Sequence, residues 1–169
     1  MNFEKKEQHE VYEEEFSWDN SLENIDTAQA LTEQKLKELG WPEDQAGTFG
    51  DAVRETMMNA IVHGNLNVNK NDGENDFGER IMAAQQLEEN KAKKVQAYFR
   101  FTKDEATAQI KDEGDFVPGE IVDPTTEKQI LKGSERGLPL IMMKVDNLTF
   151  SPVEVILHKQ RKDNEDAIA

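Results

Sequence analysis

The sequence predicts an α+β fold: a two-layer sandwich in which helices cover one face of a mixed, mostly antiparallel sheet. Three observations predict it. First, residues 94–102 and 106–110 alternate apolar and polar across the polar turn Lys103-Asp104-Glu105, which makes an antiparallel hairpin. Second, two long segments upstream repeat apolar residues at helical spacing, each with a stripe to bury. Third, the elements run strand, helix, helix, two strands, helix, two strands, with no internal repeat. Strands joined mostly by hairpins and helices with one apolar stripe pack most economically with the helices on one side of the sheet.

The first element is Val11 to Trp18, short and rich in strand formers, which reads as an edge strand. Ser21 to Leu39 carries Leu22, Ile25, Ala28, Thr32, Leu36 and Leu39 on one helical stripe and is closed by Gly40 before Trp41-Pro42. A second helix opens near Pro42 and is expected to run to His63, with Ala46, Phe49, Val53, Met57, Ala60 and Ile61 as its core face and Gly64 as its terminator. Asn65 to Asp76 is crowded with Asn, Asp and Gly and reads as a loop. Its Asn67-x-Asn69-x-Asn71 spacing is not a calcium loop, because an acidic first ligand is missing and Asp72 stands where the glycine belongs. Phe77, Ile81, Ala84 and Leu87 suggest a short helix inserted before the hairpin. After the hairpin, 112–134 is a long acidic segment. A helix over Leu138 to Val145 and strands around Leu148 to Phe150 and Val153 to His158 close the chain.

With 169 residues the chain suits one domain with a core of its own. It has no cysteine, which removes disulfides, thiolate metal sites and cysteine nucleophiles from consideration. A formal net charge of -15 repels nucleic-acid backbones and anionic membranes, so neither is an expected direct partner. Met1 to Glu15 has no apolar signal region and no run approaches the roughly 20 apolar residues of a membrane span, so the expected location is cytoplasmic.

The second helix carries the chemistry. Glu55, Asn59 and His63 follow one another at i, i+4 and i+8 and form a row opposite the core stripe. Ala52, Met58 and Val62 flank that row, so the helix is apolar on nearly every side and keeps a carboxylate and a carboxamide in a covered zone. In isolation, a satisfied helix-face Glu and Asn is the simpler reading of the pair, and a histidine at a helix C-terminus is a routine partner of the macrodipole.

The surrounding motifs change that balance. Glu55-Thr56-Met57-Met58-Asn59-Ala60-Ile61-Val62-His63-Gly64-Asn65 resembles the N-box of the anti-sigma factor serine/threonine kinases, whose ATPase domain is of the histidine-kinase type. Asp112-Glu113-Gly114 resembles their adenine-binding D-x-G box, Arg136-Gly137-Leu138 their second glycine box, and Val145-Asp146-Asn147-Leu148-Thr149-Phe150 their V-D-x-x-x-F ending. The resemblance places one ATPase domain at 10–161, with 65–93 as an insertion and 115–135 as an ATP lid. It implies ATP and Mg²⁺ as cofactors, Asn59 as metal ligand, and Asp112, Gly114, Arg136, Gly137 and Leu138 at the nucleotide. Glu55 becomes the catalytic base that takes the proton of an incoming serine hydroxyl. The implied partners are an anti-anti-sigma antagonist, which is the substrate, and a sigma factor held by sequestration; a homodimer is a further expectation.

Two positions depart from the family pattern. Phe116 stands where the D-x-G-x-G box has its second glycine, and Pro139 replaces the last glycine of the lid-hinge box, removing one N–H from a helix start that would face phosphate. They motivate a second reading, a catalytically inactive binding module of the same fold that acts by sequestration alone. A histidine-kinase catalytic domain detached from its receptor is a third, against which stands the lack of dimerisation helices.

Overall fold

The structure is a computed structural model that describes residues 10–69, 76–114, 138–151 and 153–163. Its elements are β1 (Val11–Trp18), α1 (Glu23–Glu38), α2 (Glu43–Met58), a π-helix (Asn59–Asn65), α3 (Phe77–Gln86), α4 (Glu88–Lys91), β2 (Val95–Thr102), β3 (Glu105–Lys111), α5 (Leu138–Met142), β4 (Asn147–Ser151) and β5 (Glu154–Gln160). The strands form one sheet in the order β1-β2-β3-β5-β4.

The α+β class is as expected, and the sheet, expected to be mixed and mostly antiparallel, is antiparallel at every pairing among the described residues. The reason lies in the return path. The helices between β1 and β2 bring the chain back to the end at which β1 stops, and Trp18, the last residue of β1, faces Val95, the first of β2.

One face of this sheet carries the core. Val95, Ala97, Phe99 and Phe101 of β2 and Ala106, Ala108 and Ile110 of β3 are all buried. The register sets large residues against small ones, with Phe99 beside Ala108 and Ala108 beside Leu157. Phe49 of α2 meets Phe101 edge-on, centroids 6.1 Å apart at 90°, which is a favoured aromatic geometry and locks the helix layer to the sheet. The opposite face is polar, with Tyr98 donating to Glu13 at 2.8 Å and Gln96 to Ser17 at 3.1 Å across the β1–β2 pair.

α1 lies against α2 and ends as its sequence predicts. Gly40 has φ 89, its N–H reaches the Lys37 carbonyl at 3.0 Å, and the Trp41 N–H reaches back to Leu36 at 3.0 Å. That is a Schellman closure, and it turns Trp41 inward so that Nε1 donates to the Thr102 carbonyl at 2.8 Å.

The second helical path ends at Asn65, close to where expected, but not as an α-helix. It passes at Asn59 into the π-helix, whose wider i→i+5 bonding continues to the Leu66 N–H on the Ile61 carbonyl at 2.9 Å. Gly64 lies inside this turn with no positive φ, so its predicted role as helix terminator is corrected. The reversal falls instead on Asn67, at φ 52, a left-handed conformation that asparagine tolerates better than most residues. Asn65, Leu66 and Val68 are buried, so the stretch read from sequence as a loop from residue 65 begins inside the core.

Candidate functional site

Glu55 on α2 and Asn59 at the head of the π-helix are both half-buried, one turn apart along a continuous helical path. They are the one carboxylate and the one carboxamide of an otherwise apolar or small run from Ala52 to Ile61, apart from Arg54, Thr56 and their backbone. The Thr56 hydroxyl is used up on the Ala52 carbonyl at 2.8 Å, and Arg54 turns out to ion-pair with Asp26 of α1. What remains toward the covered side is hard oxygen chemistry.

The His63 ring is buried, with Nδ1 2.7 Å from the Val68 carbonyl. The histidine therefore ties the end of the helix to the reversal after it.

The same turn brings Gly64 against the loop that follows β3. A Cβ at Gly64 would stand 2.5 Å from Asp112 Cγ and 2.7 Å from both carboxylate oxygens. A Cβ at Gly114 would stand 2.6 Å from the Gly64 carbonyl oxygen and 2.9 Å from Asp112 Oδ1. Gly64, Asp112 and Gly114 thus interlock at distances that only two missing Cβ atoms permit. The loop is pinned further by the Asp112 N–H on the Val153 carbonyl at 2.8 Å and by the Gly114 N–H on Asp112 Oδ1 at 2.8 Å.

Three residues that sequence reasoning missed hold this junction. Asn65 is fully buried and accepts the Glu113 N–H at 2.7 Å, while its amide donates to Asn20 Oδ1 at 2.8 Å and to the Lys94 carbonyl at 3.1 Å. Asn20 in turn donates to the Asn90 carbonyl at 2.7 Å, and Glu113 Oε2 accepts the Lys94 N–H at 2.5 Å. Their only sequence signal was adjacency: Asn65 directly follows His63-Gly64, and Glu113 is the variable middle residue of the D-x-G box.

One helical path thus runs from Glu55 and Asn59 to Gly64, which meets the Asp112–Gly114 loop. Leu138 opens α5, with Pro139 exposed in its first turn, where proline is tolerated because the first N–H groups of a helix lack intrahelical partners. Arg136, Gly137, Phe116 and the 115–135 segment assigned as a lid lie outside the described residues. Among the described residues no three His, Cys, Asp or Glu side chains gather into a metal cage. The Asn59 carboxamide oxygen is the kind of donor that would suit a hard cation such as Mg²⁺, which takes few protein oxygens and completes its shell with water and phosphate. No helix among the described residues is long and apolar enough to cross a membrane.

The family model described as histidine kinase-like ATPase domain matches residues 19–158, which runs from the β1–α1 turn to β5 and includes every element of this site. No curated protein matches the chain.

Proposed function

The chain belongs to the histidine kinase-like ATPase domain family, and on that premise we propose that it is an anti-sigma factor: an ATP-dependent protein serine kinase that phosphorylates an anti-anti-sigma antagonist and sequesters a sigma factor. The observation that carries the nucleotide part of this reading is the interlock of Gly64, Asp112 and Gly114, which joins two motifs 48 positions apart, as the Glu113-to-Asn65 bond measures. The kinase part is supported by Glu55 and Asn59 lying one turn apart on the helix that leads into that interlock.

In this reading each residue has one task. Asp112 accepts a hydrogen bond from the amino group of adenine, a charge-assisted contact worth on the order of 1.5 to 3 kcal/mol. Asn59 would hold Mg²⁺ through its carboxamide oxygen, and the metal would supply charge neutralisation at the phosphates. Glu55 takes the serine hydroxyl proton as the serine oxygen bonds to the terminal phosphorus and the bond from that phosphorus to ADP breaks. Positioning by the rigid helix contributes most of the acceleration, since phosphoryl transfer asks little covalent chemistry of the protein.

A second reading, sequestration without turnover, is favoured by Pro139, which has no N–H to offer at the start of α5. One experiment separates the two. With a purified antagonist domain and radiolabelled ATP, wild-type protein transfers label to a serine. Glu55→Gln abolishes transfer but keeps Mg²⁺-ATP binding in calorimetry, while Asn59→Ala loses the Mg²⁺ dependence of binding. Nucleotide binding with no transfer by the wild type leaves the sequestration module; no binding at millimolar ATP removes the ATPase reading altogether.

A further inference from the structure

The three buried asparagines around the interlock have no place in the reaction just described, yet one of them bonds directly to the base-binding loop. We propose that Asn65 is a positioning residue for base selection: it holds the Asp112–Gly114 loop in the geometry that reads adenine, and the preference of the site for ATP over GTP depends on it. The proposal rests on the nucleotide reading of the site given above.

The hydrogen bonds leave Asn65 a single orientation. The Glu113 N–H can only donate and the Lys94 carbonyl can only accept, so the carboxamide oxygen must face the loop and the amide must face β2. Asn20 is oriented in turn, because its own amide is engaged by the Asn90 carbonyl at 2.7 Å and the Lys93 carbonyl at 3.4 Å, which leaves its oxygen for Asn65. Asn65 therefore arrives at the loop already fixed from two directions, by the β1–α1 turn and by the entrance to β2.

The loop is held along its backbone one bond at a time. Asp112, Glu113 and Gly114 each place an N–H on one acceptor: Val153, Asn65 and Asp112 respectively. The bond from Asn65 sits between the residue that reads the base and the glycine that lets the loop close on Gly64. Without it, the part-buried Glu113 N–H loses its partner, and the middle of the loop keeps the exposed Glu113 side chain on the Lys94 N–H as its tether. A displaced Asp112 carboxylate both weakens its bond to the adenine amino group and repels the guanine carbonyl less, so affinity and discrimination fall together. A residue that only stabilised the fold would lower the melting temperature and leave the ratio alone.

Asn90 supplies that comparison. It is buried in the same network and donates to the Ala84 carbonyl at 2.9 Å, away from the loop. The experiment measures ATP and GTP affinity by calorimetry, melting temperature, and hydrogen exchange of the Glu113 and Gly114 amides by NMR in nucleotide-free protein. Asn65→Ala is expected to weaken ATP by up to about tenfold, the loss of one net hydrogen bond of this kind, and to narrow the ATP-to-GTP ratio. Its Glu113 amide exchanges faster than in wild type. Asn90→Ala lowers the melting temperature with the ratio unchanged. Should Asn65→Ala not fold, Asn65→Leu, which keeps the side-chain volume and removes the acceptor for the Glu113 N–H, narrows the ratio in the same direction. A wild-type ratio and a protected Glu113 amide in Asn65→Ala, or in Asn65→Leu when Asn65→Ala does not fold, overturn the proposal. Wild-type protein that binds no nucleotide overturns the functional reading instead, and the amide exchange then decides whether Asn65 holds the loop.

Discussion

At Gly64 an added methyl group meets a neighbour with little room to move. Adding a Cβ there gains at most about 1 kcal/mol of helix propensity. Against that stands a contact of 2.5 Å with the Asp112 carboxylate, a short side chain whose own loop is pinned through Val153 and Asn65. Overpacking of this kind costs about 1 to 3 kcal/mol and wins. Gly64→Ala is therefore expected to lower the melting temperature and to weaken ATP by about tenfold or more, because the carboxylate must swing out of its place. Calorimetry at a temperature well below unfolding separates the two effects; unchanged ATP affinity would show that Asp112 does not read the base from this position. Gly64 was legible as a special residue from its motif, but its reason was misread as helix termination.

Among the elements, α1 and the α2–π-helix pair show how differently local and distant forces decide an ending. Gly40 closes α1 by local chemistry alone: it has φ 89, and no atom would lie within 4 Å of a Cβ placed there, so its conformation and not its surroundings demands glycine. Gly40→Ala should cost about 1 to 2 kcal/mol from the left-handed backbone, read as a lower melting temperature in circular dichroism with nucleotide affinity retained. A variant as stable as wild type would mean that the turn rearranges freely. The second helix has no comparable stop. Gly64 sits inside its last turns, and the π-turn ends with His63 against Val68 and Asn65 against Glu113, partners that lie outside the helix.

The molecule as a whole carries a formal charge of -15, and ion pairs such as Lys35–Glu38, Lys37–Glu43 and Lys91–Glu88 lie on exposed or partly exposed side chains, where each contributes little. Self-repulsion among the carboxylates therefore outweighs attraction, and screening it should stabilise the compact state. Raising sodium chloride from about 0.05 to about 0.5 M is expected to raise the melting temperature, since the Debye length falls well below the spacing of most surface charges. A falling melting temperature would show instead that the surface ion pairs matter more than the net charge. The same charge sits on the outer rim of the sheet, where Glu13, Glu14 and Glu15 of β1 are exposed and keep an open edge from pairing indiscriminately.

Legible in the residues themselves were the α+β class, the bounds of β1 to the residue, the β2–β3 hairpin and the closure of α1 at Gly40. These are legible because hydrophobic period and turn chemistry are local, and each is written within a few consecutive residues. Long-range packing set the antiparallel pairing seen among the described residues, the π-turn and the junction at Asn65. The partners that create that junction stand 45, 29 and 48 positions away, at Asn20, Lys94 and Glu113. An asparagine among apolar residues has no periodicity of its own. Its role appears only when folding removes water from its carboxamide and every donor and acceptor must be answered by a neighbour that the chain brings from elsewhere.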